Sequence, residues 1–302
     1  MKPDEQLTIK IDGGLGNQLF QLYAGLYFAN HLNLSPLFDI SRLRRINKLH
    51  PGMNISTLGL LNEYETKNRP LFLSQDLSTR LIRKINLVLN QRLDGSLREI
   101  PEKAHSDIGY VEIEKFQRLP KVIQGYFQTW RYFDELQEKP IISYQSLLNP
   151  SSWLNQNLVK IQESNPLIMH VRRGDYLHTK NKEMGRLSLK YFEAVCRAQG
   201  AETEIWLLTD SPRLVEEEFI NFPRRIRILT PPPNSDPVES MILMSRAKAL
   251  AISNSTFSWW AAKLAEPGSS VYSPSKWFQH KTDPTDLLPT SWVKIESDWA
   301  KD

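Results

Sequence analysis

The first forty residues have a hydrophobic pattern that predicts a strand, a glycine turn, a helix and a second strand. Apolar and polar residues alternate over residues 7–11, as in a strand with one buried face, and Gly13 and Gly14 follow. Between residues 19 and 32, apolar side chains recur at a spacing near 3.6, which indicates a helix, and residues 37–40 form a second apolar run. Such a β–α–β unit is the beginning of a Rossmann-like domain.

The alternation of strands and helices returns in the second half of the chain. The predicted strands are residues 167–171, 204–210, 225–229 and 249–253, and the predicted helices are residues 147–161, 191–198, 239–247 and 258–264, with another beginning at Ser211-Pro212. The region from 58 to 132 is less regular, although residues 77–93 have helical spacing and residues 122–127 resemble a strand. The pattern predicts an α/β protein with two Rossmann-like domains, residues 1–160 and residues 161–302.

The composition is that of a folded globular protein. The chain has 302 residues, of which 40% are hydrophobic and 24% are charged, and its formal net charge is +4. We expect no nucleic acid partner. Arg224, Arg225 and Arg227 form a basic cluster that fits a solvated face, a phosphate site or contact with an anionic membrane surface.

Nothing in the sequence requires an oxidising compartment or a membrane span. Cys196 is the single cysteine, so no intramolecular disulfide can form, and its helical context predicts a small buried residue. The first six residues include two acids and no apolar segment, unlike a secretory signal, and no apolar run is long enough to cross a bilayer. We expect a cytoplasmic protein, with any membrane contact peripheral.

The first candidate motif is GGLGNQ, residues 13–18, directly after the first predicted strand. Glycines there allow a sharp turn or a close approach to a ligand, and the following helix N-terminus favours an anion. Gly14 and Gly16 would supply two positions of a dinucleotide fingerprint and Asp39 its ribose acid, but Leu19 occupies the third glycine position. A tight turn without a ligand is the alternative.

The second motif is HVRRGDY, residues 170–176, which follows a predicted strand without a break. Arg172 and Arg173 carry permanent charge and can each form two hydrogen bonds to phosphate oxygens. A fixed arginine at this position would stabilise the charge that develops on a diphosphate leaving group. The alternative is structural, with one arginine paired to Asp175 and the other to a distant carboxylate.

The third motif is SNSTFSWWAA, residues 253–262, between a predicted strand and a helix. Ser255 or Thr256 could cap that helix while its backbone amides hold a phosphate, and a plain cap explains the pattern equally well. Trp259 and Trp260 fit packing in the core better than stacking on a ligand.

These three strings, in this order and at these separations, resemble the α-1,2-fucosyltransferase family, glycosyltransferase family 11. The resemblance runs through GGLGNQLFQ, HVRRGDY and SNSTFSWWAAKL and so covers most of the chain. It implies a GT-B fold, with the acceptor on the side of residues 1–160 and GDP-β-L-fucose bound by residues 161–302. It also implies inverting transfer of fucose to a glycan hydroxyl, O2 of a galactoside, without a metal or other cofactor. The absence of an Asp-x-Asp motif agrees with metal independence.

The resemblance also assigns residues to the donor site. Arg172 would hold the β-phosphate, and Arg173, Asp175 and His170 would belong to the same site, with His170 near the nucleoside. Asp210 matches an acidic position in the wider fucosyltransferase group.

Further members of the site come from the flanking motifs and one helix start. Asn254, Ser255 and Thr256 match the segment that meets the pyrophosphate. Gly14, Gly16 and Asn17 belong to the first motif, whose amide would face the reaction centre. Family members often carry an acidic pair before the helix that begins near Glu239, whereas this chain has Glu239-Ser240; Glu239 is the substitute that we name for nucleoside recognition.

The sequence leaves the general base open. Asp175 is the nearest candidate, but two adjacent arginines make it a weak base and favour a role in orienting one of them. Glu183 is a second candidate, and Asn17 could position the acceptor without a base.

Two other functions explain part of the sequence. A nicotinamide-dependent reductase would use the glycine turn and Asp39 but gives no role to the arginine pair. A carbohydrate-binding protein without catalysis would use the 8 tryptophans and 10 tyrosines. The acceptor is not specified by the sequence, and the region 58–132 is expected to shape its site.

Overall fold

The computed structural model describes residues 6–43, 55, 61–67, 109–112, 122–136, 142–143, 147, 149–177, 184–200, 203–233 and 235–300. The chain divides into two compact units. Met1–Glu138 with Pro284–Asp286 forms the first unit, and Lys139–Asp283 with Leu287–Asp302 forms the second. The sequence pattern placed the boundary at residue 160, whereas the observed division falls earlier in the chain. The helix that follows Ser151 packs within the second unit.

The described part of the first unit has a parallel sheet and two helices. Its strands are β1 (Gln6–Lys10), β2 (Ser35–Asp39), β3 (Glu65–Lys67) and β4 (Val122–Ile123), and its helices are α1 (Leu15–Leu32) and α2 (Arg131–Leu136). The sheet order is β3-β2-β1-β4, and every neighbouring pair is parallel. The predicted β–α–β beginning is confirmed, whereas only two residues of the predicted strand 122–127 belong to the sheet.

Helix α1 packs closely on β1 because of one glycine. A Cβ at Gly25 would lie 2.6 Å from Cγ1 of Ile9, so a larger residue would push the helix away from the sheet. The helix ends at Asn33, which adopts a left-handed conformation and donates its N–H to backbone oxygens of the last turn. Aromatic rings continue the packing toward α2, where Tyr27 and Tyr132 have ring centroids 5.0 Å apart.

The second unit contains a larger parallel sheet. Its described strands are β5 (Leu167–Val171), β6 (Ile205–Thr209), β7 (Ile226–Ile228), β8 (Ala249–Ala251), β9 (Ser270–Pro274) and β10 (Val293–Ile295), in the order β10-β9-β8-β5-β6-β7. Its described helices are α3 (Ser152–Ser164), α4 (Leu189–Gln199), α5 (Pro212–Glu218), α6 (Pro237–Ser245) and α7 (Thr256–Lys263). The predicted strands and helices of this half are confirmed with shifted ends, and β9 and β10 were not predicted.

The central strands of this sheet are apolar because helices and loops bury them. Every residue of β5 and β8 is buried, so both strands are covered on both faces, and all their residues except His170 are apolar. Trp259 and Trp260 are buried in the same unit and meet edge to face at 5.0 Å, and Cys196 is buried, as the sequence predicted. The α/β class of the predicted GT-B fold, with two Rossmann-like sheets, is confirmed.

The helix predicted at residues 77–93 lies outside the described residues. Among the described residues, no helix combines the length and the apolar character needed to cross a membrane.

Candidate functional site

The sheet order of the second unit places two of the sequence motifs side by side. Strands β6 and β7 extend to one side of β5, and β8, β9 and β10 extend to the other, so the strand order reverses between β5 and β8. In such open parallel sheets, ligands bind outside the carboxyl ends of the strands at this switch point. HVRRGDY leaves the sheet at the end of β5 and SNSTFSWW at the end of β8, so both motifs line the expected binding position.

Arg172 is held at this position by an acid from the neighbouring strand. Its Nη1 lies 3.0 Å from Oδ2 of Asp210, which directly follows β6, and the two side chains are 19% and 23% exposed. The guanidinium carbon also lies 5.9 Å from the centre of the Tyr176 ring. Arg172 is therefore oriented before any ligand binds, and it remains partly accessible.

Asp210 also shapes the turn that carries Arg172. Its Oδ1 accepts the backbone N–H groups of Arg173 at 2.9 Å and Gly174 at 3.3 Å. A Cβ on Gly174 would lie 2.3 Å from Oδ2 of Asp210, so only glycine allows the carboxylate to come this close. The acid thus organises the turn, and the glycine of the motif is explained by contact with a side chain rather than with a ligand.

Arg173 points into the protein, away from the role expected from the sequence. Its side chain is fully buried, and Nε and Nη2 donate to the two carboxylate oxygens of Glu218 at 2.7 and 3.1 Å. Its Nη1 donates to the backbone oxygen of Arg172 at 3.0 Å. The two guanidinium N–H groups of Arg173 that could have bound a phosphate thus bind the carboxylate of Glu218. Glu218 carries no sequence signal for this role, because it ends a run of three glutamates with the character of a solvated helix end.

His170 is a buried link between β5 and the segment after β8. Its Nδ1 lies 2.9 Å from Oγ of Ser253, and both side chains are buried. The pKa of His170 is lowered to about 4, chiefly by burial; the nearby Asp210 raises it and Arg172 lowers it. The imidazole is therefore neutral at pH 7 and ties two loops together without carrying charge.

The segment before α7 contributes backbone amides rather than a side-chain cap. Ser255 is the N-cap of α7, is buried and forms no side-chain cap hydrogen bond, and Thr256 is half-buried at the first helical position. Amides at such a helix start attract anions. Asn254 is buried, and its Nδ2 donates to the backbone oxygens of Met184, Gly185 and Trp277, so this side chain holds surrounding loops in place.

Glu239 joins two helices of the second unit. It is 3% exposed in the first turn of α6, and its carboxylate oxygens accept the backbone N–H of Ser151 at 2.6 Å and the hydroxyl of Ser151 at 2.5 Å. Ser151 is the N-cap of α3 and accepts the N–H of Leu154. Helix packing therefore occupies the carboxylate that we expected to recognise the nucleoside.

The glycine motif of the first unit forms a turn in which Gly13 has the required conformation. Gly13 has φ +83°, whereas Gly14 is the exposed N-cap of α1 with φ −71° and Gly16 is buried inside the helix. Oδ1 of Asn17 accepts a hydrogen bond from Nε2 of Gln128 at 2.9 Å, and Gln128 is 4% exposed. The amide side chain of Asn17 in this motif is thus held by the amide side chain of Gln128.

The remaining predicted features are the candidate bases, the rival ribose acid and the basic cluster. The side chain of Asp175 and the whole of Glu183 lie outside the described residues, so both candidate bases remain sequence predictions. The rival ribose acid Asp39 accepts the N–H and the hydroxyl of Ser41 through Oδ1. In the basic cluster, Arg224 and Arg225 lie between α5 and β7, and Arg227 lies within β7, where its guanidinium carbon is 4.9 Å from the centre of the Trp206 ring.

The chain is similar to known sugar transferases. The chain is 26% identical to an α-1,2-colitosyltransferase of Escherichia coli, over 96% of this chain and 99% of that protein. It is 23% identical to a galactoside 2-α-L-fucosyltransferase of Caenorhabditis elegans, over 97% of this chain and 82% of that one. A solved structure, the fucosyltransferase NodZ from Bradyrhizobium, is similar at 13% identity with a TM-score of 0.44, over 86% of this chain and 93% of that chain.

The sequence model of one family spans nearly the whole chain. Glycosyl transferase family 11 matches residues 2–296, which include all three motifs and both compact units. The strand-end arginine held by Asp210 and the open helix start beside it lie within that match. The chain is therefore a member of glycosyl transferase family 11.

Proposed function

We propose that this protein transfers L-fucose from GDP-β-L-fucose to a hydroxyl of a glycan acceptor, with inversion and without a metal. The observation that carries the proposal is Arg172, oriented by Asp210 at the switch point of the second sheet beside the start of α7. A diphosphate needs such a site, because one fixed cation and several backbone amides can share its charge. The family match and the fucosyltransferase among the relatives support the choice of sugar.

The transfer follows from this arrangement. An acceptor oxygen forms a bond to the anomeric carbon on the face opposite the diphosphate, while the bond between that carbon and the β-phosphate oxygen breaks. The bonding electrons leave with the diphosphate, and Arg172 and the amides at the start of α7 stabilise the negative charge that develops there. The proton of the acceptor hydroxyl passes to Asp175 or to solvent. Asn17, held by Gln128, positions the acceptor in this proposal.

The neighbouring side chains support the site indirectly. Arg173, which pairs with Glu218, stabilises the turn by a hydrogen bond to the backbone oxygen of Arg172. Neutral His170 holds the segment after β8 through its contact with Ser253. Their role is to keep the anion site in one geometry, so that little reorganisation is needed when charge develops.

The experiment separates the donor from its alternatives. Calorimetric titration of the full chain with GDP and with NADP should show binding of GDP alone, because Leu19 stands where the dinucleotide fingerprint has its third glycine. Turnover of GDP-fucose and GDP-colitose, with and without an acceptor galactoside, should then show acceptor-dependent release of GDP and a preference for fucose. Binding of NADP without GDP would contradict the transferase function, and a preference for colitose would replace the donor sugar, as the name of one relative suggests.

The stereochemistry and metal independence need one further measurement each. The anomeric proton of the product, followed by NMR, should show the α configuration if the donor is β-linked. Turnover should persist in excess EDTA; loss of activity that is restored by a divalent cation would remove the metal-independent part of the proposal.

A further inference from the structure

A second switch point lies in the sheet of the first unit. In the order β3-β2-β1-β4, strands β2 and β3 extend to one side of β1, and β4 lies on the other side. A cavity of about 200 Å³ opens beyond the carboxyl ends of these strands, lined by Lys10, Asp12, Gln21, Arg42, Gln124 and Tyr126. We call this cavity the β1–β4 pocket. Its walls come from segments that follow β1, β2 and β4, which is the position where ligands bind in such sheets.

The polar groups of the pocket are held in place before any ligand arrives. Oδ2 of Asp12 lies 3.1 Å from Nη1 of Arg42, and Oδ1 of Asp12 accepts the N–H of Gly13 at 2.8 Å. The backbone N–H of Asp12 donates to Oε1 of Gln21 at 2.8 Å. The side chains of Arg42 and Asp12 are 35% and 38% exposed, so a ligand in the pocket can reach both. A preorganised acceptor and donor at one spot suit a group that both gives and receives hydrogen bonds.

Tyr126 supplies an aromatic wall. Its Cε1 lies 3.3 Å from the point where a Cβ on Gly13 would be, so the glycine with positive φ makes room for the ring. Burial raises the pKa of Tyr126, and the nearby Asp12 raises it further while Arg42 lowers it. The phenol therefore remains protonated at neutral pH and can donate a hydrogen bond.

We propose that the β1–β4 pocket binds one neutral sugar ring of the acceptor glycan. This inference rests on the proposed function, because it gives the transferase a defined place for its acceptor. The pocket is smaller than the roughly 300–1,000 Å³ of sites for drug-sized ligands, so it suits a single ring rather than a nucleotide or a long oligosaccharide. Sugar hydroxyls both donate and accept hydrogen bonds, so they can bind Asp12, Arg42 and Gln124 in turn.

The test uses direct binding of small glycosides to the full chain. Saturation-transfer NMR with methyl β-galactoside, methyl β-glucoside and methyl N-acetyl-β-glucosaminide should detect binding of at least one of them. Asp12→Asn and Tyr126→Phe should each weaken that binding by at least fivefold. Tyr64→Phe is the matched control, because Tyr64 lies in the same unit and packs edge to face on Phe38 at 5.5 Å.

The variants also separate this inference from the proposed function. GDP affinity, measured by calorimetry on the same samples, should change by less than twofold in Asp12→Asn and Tyr126→Phe. If Asp12→Asn fails to fold, as seen by circular dichroism, the milder Tyr126→Phe decides. Binding of none of the glycosides, or equal binding by the pocket variants and Tyr64→Phe, would overturn the pocket while a GDP site dependent on Arg172 would still support the transferase. Glycoside binding that needs Asp12, in a protein that neither binds GDP nor turns over the donor, would keep the pocket and contradict the proposed function.

Discussion

The carboxyl edges of the two parallel sheets hold their charged side chains in different ways. In the second unit, Arg172 and Asp210 are 19% and 23% exposed and Arg173 is fully buried, whereas in the first unit Arg42 and Asp12 are 35% and 38% exposed. Charges interact more strongly where water is excluded, so the second edge suits a diphosphate. The more solvated edge of the first unit suits hydroxyl groups, which bind through geometry more than through charge. Similar sheet orders can therefore present different ligand chemistry.

The largest effect is expected from Arg172→Lys. Lysine keeps the charge but loses the forked geometry, so transition-state stabilisation should fall and kcat/KM should drop by about 10²–10³-fold. The melting temperature should change little, since the ion pair with Asp210 can still form. Steady-state GDP release measures the rate, and Arg197→Lys is the matched control, because the Arg197 side chain is exposed on α4. Turnover equal to that of the control would show that the guanidinium of Arg172 does not stabilise the transition state.

The second effect concerns pH. The pKa of His170 is about 4 in the folded protein and about 6.5 in an unfolded chain, so between these values the unfolded state binds more protons. The free energy of unfolding should therefore fall as the pH decreases from 6.5 toward 4, with a contribution of about 3 kcal/mol from this residue, and should be unaffected by it above that window. Urea denaturation of the wild type and of His170→Asn at several pH values measures the difference. Identical pH slopes in both proteins would contradict a buried neutral imidazole.

The third effect compares glycines at the two edges. Gly174→Ala would place a Cβ 2.3 Å from Asp210, and we expect a loss of about 2 kcal/mol in the free energy of unfolding. Gly14→Ala is the matched control for stability, because nothing lies within 4 Å of its Cβ position and its φ is −71°. Urea midpoints measure both. Equal losses in the two variants would show that the close approach of Asp210 to the turn does not restrict this residue.

The smallest effect tests what Glu239 does. Glu239→Gln replaces one of two oxygens that accept hydrogen bonds from Ser151, so we expect a loss of about 1 kcal/mol in stability. GDP affinity should be unchanged, because the carboxylate joins α3 to α6. Exposed Glu204→Gln serves as the control for both measurements. A tenfold loss of GDP affinity in Glu239→Gln alone would instead support the nucleoside contact expected from the sequence.

Much of the second unit was predictable because its signals are local. Continuous apolar runs marked β5, β6 and β8, and Ser151 marked the start of α3, since capping depends on a few neighbouring residues. β9 and β10 were missed. β10, Val293–Ile295, has three residues, of which two are exposed, so it lacks the buried apolar run that marks the central strands.

The candidate site was predictable only in part. Arg172 was identified from its motif, but the sequence could not distinguish it from the adjacent Arg173. The turn directs the guanidinium of Arg172 to Asp210 and that of Arg173 to Glu218. Glu218 lies 45 residues from Arg173 in the chain, so no local pattern connects them. The residues of the β1–β4 pocket belong to no shared motif, and three separate strand ends bring them together.

The α/β class, most of the described helices and strands, the three motifs and, through their resemblance, the family could be predicted from the sequence. These properties depend on periodicity, capping residues and short strings, all of which are local in the chain. Only the tertiary structure fixes the partner of each charged side chain: Asp210 orients Arg172 and shapes its turn, Glu218 pairs with Arg173, and Glu239 accepts hydrogen bonds from Ser151. The physical reason is that burial and pairing depend on which strand ends lie side by side, and the order of strands in a sheet is a non-local property of the chain.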